Sequence, residues 1–161
     1  MYDIFLFLFS SLLVFAAISD LRTFEIPNFV SAVGAFLFFP AAFFTQLDAV
    51  VLASHLLVAG MVLGVGFGLF VANLLGGGDV KVLSAVALWC GLDDILPLLF
   101  WVAVAGGILA GMLFFFRLAK IPKWALSSDW LANLHSETGV PYGVAISTGA
   151  LWVFFRNHLG F

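Results

Sequence analysis

The chain has 161 residues, 64% of them hydrophobic and only 9% charged. Soluble domains carry about a quarter of their residues as charges, so this composition excludes a water-soluble fold and points to lipid as the solvent. The net charge of −3 leaves no basic patch for nucleic acid, and the single cysteine excludes an internal disulfide or a Cys-rich zinc site.

Residues 2–19 are almost unbroken apolar, long enough at about 1.5 Å per residue to cross most of a ~30 Å hydrocarbon layer. Asp3 stands where a basic leader region would be, which argues against a cleaved signal peptide. The segment closes with Ser19-Asp20-Leu21-Arg22; Pro27 then biases Ile26 away from helix, and Asn28 caps a second span over 29–44. Gln46 and Asp48 mark a turn, and a third span covers 50–75, where Gly60, Gly64, Gly66 and Gly68 suit close helix packing in lipid. His55 reads as a packed or interhelical hydrogen-bonding residue, and Cys90 as a small buried apolar one. A fourth span, 80–92, follows Gly76-Gly77-Gly78-Asp79 and is short for a full crossing. Gly91, Asp93, Asp94 and Pro97 form the next turn, and a fifth span covers 95–116. Residues 117–139 are polar; Ser127-Ser128-Asp129 opens an interfacial helix anchored by Trp124 and Trp130. A last span covers 141–155. The expected fold is all-α: a single polytopic domain over 1–161 with six transmembrane helices, a short fourth one, and a cytoplasmic interfacial segment between the fifth and sixth.

Charge bias orients the bundle. With six crossings, Arg22, Lys81, Arg117, Lys120 and Lys123 share one side, and only Arg156 falls on the other. The positive-inside rule makes the basic side cytoplasmic and puts both termini outside. Asp20 and Asp79 then both lie at the cytoplasmic edge.

An ionisable group at the end of an apolar span is costly and reads first as a working site. The three glycines before Asp79 remove side chains and allow another backbone to approach the acid. If the first and fourth spans are neighbours, Asp20 and Asp79 face each other across a water. Two carboxylates that close share one proton, which supplies a base for the water and an acid for a peptide carbonyl without a metal or other cofactor. Helix dipoles place the proton on Asp20, at a helix C-terminus, and make Asp79, at a helix N-terminus, the base. Lys81 and Arg22 each follow an acid by two residues, a spacing that points them to other faces; they read as anchors at the membrane surface. Glu25 is one of several cytoplasmic acids able to attract a basic segment.

Taken together, Asp20-Leu21-Arg22 with Ile26-Pro27-Asn28, Gly76-Gly77-Gly78-Asp79-Val80-Lys81, and Pro141-Tyr142-Gly143 resemble the type IV prepilin peptidases, which are GxGD-type intramembrane aspartyl proteases. The resemblance implies that Asp20 and Asp79 are the catalytic aspartates. It implies removal of a short basic leader from a pilin-like precursor at the cytoplasmic face of a prokaryotic inner membrane. The glycines 76–78, Arg22, Lys81, Pro27, Asn28, Pro141, Tyr142 and Gly143 are the candidates for shaping the site or holding the precursor. Longer family members carry a cytosolic insertion with paired cysteines that is tied to methylation. Here only 20–28 joins the first two spans, so the chain resembles the short form that serves Flp-type pili, without methyltransferase activity. The competing readings are a preflagellin peptidase of the same family and a small proton- or cation-coupled transporter that uses the paired acids.

Overall fold

The computed structural model describes residues 2–118, 135 and 139–159. Helix α1 spans Tyr2–Thr23, α2 Asn28–Phe44, α3 Ala49–Val71, α4 Gly77–Leu118 and α5 Tyr142–Leu159, and the described residues include no strand. Helices α1, α3 and α4 are long and apolar enough to cross a membrane, whereas α2, at 17 residues, is shorter. Phe7, Phe36, Phe43 and Phe115 are each more than 70% exposed, a surface that only lipid solvates well. The chain is an all-helical membrane protein.

Five helices stand among the described residues where six spans were expected. The difference lies in α4, whose 42 residues run through the boundary placed after residue 92. Asp93 and Asp94 do not form a separate turn; they lie in helix directly after a break at Gly91, where acids complement a helix N-terminus. Gly91 has φ 62 and ψ −161, a backbone state open to glycine and strained for other residues. The chain reverses there. Before the break α4 runs antiparallel to α3: Val80 lies against Gly66, Ser84 Oγ donates to the Ala59 carbonyl at 2.9 Å, and His55 Nδ1 donates to the Leu88 carbonyl at 2.7 Å. After it α4 runs antiparallel to α5: Arg156 pairs with Asp94 at 2.7 Å, Trp101 packs on Trp152 at 4.8 Å, and Gly106 faces Tyr142. The interfacial helix expected around 127–134 lies outside the described residues.

Two helices end on left-handed stops, and one of them shifts a boundary. At the end of α3, the Asn73 amide bonds the Phe70 carbonyl and the Leu74 amide bonds the Leu69 carbonyl, both at 2.9 Å, with Asn73 at φ 57. That is a Schellman stop, and it ends the helix at Val71, short of the expected residue 75. Gln46 at φ 53 closes α2 in the same way. Neither stop uses glycine; Gln46 falls in the turn expected at 46–48, whereas Asn73 falls inside the span expected to run to 75. The expected glycine packing seam on α3 is also narrower than predicted. Only Gly66 meets a neighbour, while a Cβ on Gly60, Gly64 or Gly68 would meet nothing within 4 Å.

The core gathers where α4 before its break crosses α1, α2 and α3. Phe9 stacks on Trp89 at 5.0 Å, Phe38 meets Trp89 edge-on at 5.8 Å, and the Trp89 indole N–H donates to the buried Gly34 carbonyl at 2.9 Å. In lipid, such packing and interhelical hydrogen bonds hold helices together, since burial of apolar surface gains little there. At the opposite end of this arm lie the two acids.

Candidate active site

Asp20 sits in the last turn of α1 and is buried, 4% exposed. Helix α1 runs on past it to Thr23, then Phe24 turns the chain with φ 54. The turn is pinned by main-chain and hydroxyl bonds: Phe24 N–H to the Asp20 carbonyl at 2.8 Å, and Ser19 Oγ to the Glu25 carbonyl at 3.0 Å. These contacts fold residues 24–27 back over the acid.

Asp79 opens α4. Gly76 is the residue before the helix, so Asp79 takes the third helical position, and its carboxylate accepts the Gly76 backbone N–H, half of a capping box. A Cβ on Gly76 would stand 2.7 Å from Asp79 Oδ2, and one on Gly78 would press on Ile26 at 3.4 Å. None of the three glycines has positive φ. They serve close approach rather than an unusual backbone conformation, and this brings the start of α4 against the 24–27 turn.

A third element joins them. The Gly143 N–H, at the start of α5, donates to Asp20 Oδ2 at 2.6 Å. A Cβ there would meet Asp20 Oδ2 at 2.9 Å and collide with Ile26. Asp20 thus faces the N-terminus of α5 as well as lying near the C-terminus of α1. The dipole argument that separated Asp20 from Asp79 therefore loses its basis, because each carboxylate stands at a helix N-terminus.

The two acids are close enough to interact electrostatically, and both line the same two cavities. The larger, about 580 Å³, is walled by Phe24, Phe70, Leu74, Leu75, Val140 and Tyr142. The smaller, about 240 Å³, is walled by Glu25, Ile26, Asn28 and the glycines 76–78. The first and fourth spans meet through side chains, Phe9 stacking on Trp89 at 5.0 Å, while their backbones pack mainly on other helices. Helix α1 packs on α2 and α5, and α4 packs on α2, α3 and α5. The acids meet because the end of α1 and the start of α4 open onto one space that α5 closes.

The remaining sequence candidates divide. Tyr142 and Gly76 line the larger cavity; Asn28 and all three glycines line the smaller. Gly143 touches Asp20 directly, and the buried Pro141 precedes it at the start of α5. Pro27, and not Asn28 as expected, is the N-cap residue of α2, with φ −60, and it lines neither cavity. Lys81 is not free toward lipid: its Nζ donates to Asn28 Oδ1 at 2.8 Å and ties α4 to α2. Arg22 is exposed and lines neither cavity. Sequence reasoning missed Phe24, Phe70 and Asn73. Asn73 carried a signal, since Asn tolerates the left-handed turn that ends a helix; the two phenylalanines are indistinguishable from the other eighteen. Among the described residues no group of three or more His, Cys, Asp and Glu is placed to hold a metal ion.

The type IV leader peptidase family model matches residues 7–111, more than half of the chain. The chain belongs to that family. No curated protein and no solved structure matches it. The part matched to the leader peptidases contains Asp20, Asp79 and the glycines between them. It stops before Gly143, so the hydrogen bond from Gly143 to Asp20 adds a contact beyond the matched region.

Proposed function

We propose that the chain is an aspartyl endopeptidase in which Asp20 and Asp79 hydrolyse a peptide bond of a pilin-like precursor at the membrane edge. The observation that carries this reading is that two carboxylates from different helices line the same pair of cavities. The pair holds one proton. The ionised member takes a proton from water as the water oxygen bonds to the scissile carbonyl carbon. The protonated member donates to the carbonyl oxygen and a proton then passes to the leaving nitrogen as the C–N bond breaks. The Gly143 N–H holds Asp20 Oδ2 at 2.6 Å and so fixes this carboxylate at the start of α5. Tight glycine contacts around both acids keep this geometry, and positioning of this kind supplies much of a catalytic effect.

The substrate is a Flp-type prepilin, and cleavage releases its short leader on the cytoplasmic side. Orientation rests on charge: Arg22 and Lys81 lie at the same end of the bundle as the acids, while the Arg156–Asp94 pair lies at the other. The short 24–27 connection between α1 and α2 supports a peptidase without methyltransferase activity. The test is co-expression with candidate precursors, read by N-terminal sequence and mass. Wild type should remove the leader and add no methyl group. Asp20→Asn and Asp79→Asn should each abolish cleavage, with the folded yield in detergent unchanged. Cleavage that survives either substitution would sink the proposal.

A further inference from the structure

Helices α2 and α3 each pack on the first arm of α4 rather than on each other. They touch at one end, where the Phe38 ring lies 5.3 Å from His55. From there a groove of about 410 Å³ runs between them to Asn28 and Lys81, at the end that carries the acids. Its floor is the buried Ala85 and Leu88 of α4, with Ala32 and Ala35 on one wall and Ala59 and Leu63 on the other. Two serines also line it, but Ser31 Oγ donates to the Asn28 carbonyl at 3.0 Å and Ser84 Oγ to the Ala59 carbonyl at 2.9 Å. Both hydroxyl protons are spent, so the groove offers hydrocarbon along its length.

Charge enters only at the mouth, where Lys81 is the one ionisable residue among the described residues that line the groove. The bond to Asn28 Oδ1 holds its ammonium in place and uses one of three N–H donors. No carboxylate pairs with it among the described residues. With the amide oxygen of Asn28 engaged, what these two side chains still offer is donors, which suits the oxygens of a phosphate. Width decides between a lipid and a polypeptide. Lys81 to Leu88 is about 10 Å of helix, so 410 Å³ leaves a cross-section of about 40 Å², or roughly 6 Å across. A helix with its side chains needs about 10–12 Å, whereas a single hydrocarbon chain is thinner than the groove. We infer that the groove binds one phospholipid, its phosphate on Lys81 and Asn28 and one acyl chain laid between α2 and α3. Lys81 follows Asp79 by two residues, so the bound lipid braces against α2 and α3 the arm that carries this acid. Binding is independent of whether the acids hydrolyse peptides.

The experiment uses the full-length protein, delipidated in detergent, with native mass spectrometry to count bound molecules. Dioleoyl phosphatidylglycerol should fill one saturable site. The diacylglycerol with the same chains should bind about fivefold more weakly, the contribution of one basic side chain at a headgroup. Lys81→Gln should lose that factor for phosphatidylglycerol and nothing for the diacylglycerol. Ala32→Phe, at an exposed position on the wall, should fill the groove and weaken both. Inorganic phosphate, which has no chain, should displace neither. A diazirine on the acyl chain should label α2 and α3. If both variants, at folded yields equal to wild type, bind phosphatidylglycerol as wild type does, or if the label falls on α5, no lipid occupies this groove. If Ala32→Phe blocks binding and Lys81→Gln does not, the phosphate assignment falls. If the apolar helix of a pilin-like precursor displaces the lipid and labels the same helices, the groove is a polypeptide site and the inference is overturned.

Discussion

The first arm of α4 begins and ends on glycine, and the two ends use it for opposite purposes. At Gly91 the backbone itself needs glycine: φ is 62, and the turned chain is then held from several sides. His55 supplies a donor to the Leu88 carbonyl, one of the last carbonyls before the break, and Trp89 bonds Gly34 nearby. At Gly76, Gly77 and Gly78 the backbone is ordinary and only the missing side chain matters. Cavities open beside this end, and two carboxylates remain turned toward them. One end is packed and satisfied, as a structural hinge in lipid has to be. The other keeps polar groups and empty volume together, which costs stability and is retained where chemistry occurs.

Substitutions can break that contrast. The largest effect on activity short of removing an aspartate should come from Gly143→Ala. Its Cβ would displace the Asp20 carboxylate or Ile26, and a misplacement of an ångström at a reacting group costs about a hundredfold in rate. Cleavage kinetics should show that loss while the melting temperature in detergent moves little. Gly91→Ala should do the reverse. A side chain at φ 62 and ψ −161 costs about 1–3 kcal/mol, and the new Cβ would also press on the His55 ring, 2.7 Å away. Thermal unfolding should fall clearly, and whatever protein remains folded should keep its rate per molecule. If Gly91→Ala slowed cleavage as much as Gly143→Ala at equal folded yield, the division between the two ends would be wrong.

This contrast also explains what the sequence made readable. Asp20 and Asp79 stood out because charges are rare in this chain and each closes or opens an apolar run, so their meeting at one site was legible without coordinates. The triple glycine pointed to close approach, and the geometry bears that meaning. Boundaries and partners were less readable. Asn73 stops α3 through a left-handed turn that glycine usually makes, short of the expected residue 75, and Phe24 turns the chain with no local signal at all. Gly91 looked like one member of a turn with Asp93 and Asp94, yet it alone breaks α4. The role of Gly143 depends on a contact 123 residues away, which no pattern along the chain encodes.

A smaller effect sharpens the hinge side. His55→Leu would leave the Leu88 carbonyl without its interhelical donor, and such bonds in membrane proteins contribute about 1 kcal/mol. His55→Asn, which restores a donor on a shorter side chain, should recover part of that loss. Rates of cleavage should be unaffected by either change, because His55 meets α4 at the far end of the arm from Asp79.

The smallest expected effect tests whether glycines on α3 are a packing seam or merely tolerated. A Cβ on Gly66 would stand 2.8 Å from Val80 Cγ1, one residue beyond Asp79, whereas one on Gly60 would meet nothing within 4 Å. Gly60→Ala should therefore stay within about 0.5 kcal/mol of wild type in stability. Gly66→Ala should push the start of α4 away from α3 and lower both stability and cleavage. The pair shares helix and residue type, and the close neighbour of Gly66 is what Gly60 lacks. Equal behaviour of the two variants would mean that α3 and α4 do not pack closely beside Asp79, and the positioning argued for that acid would lose its support.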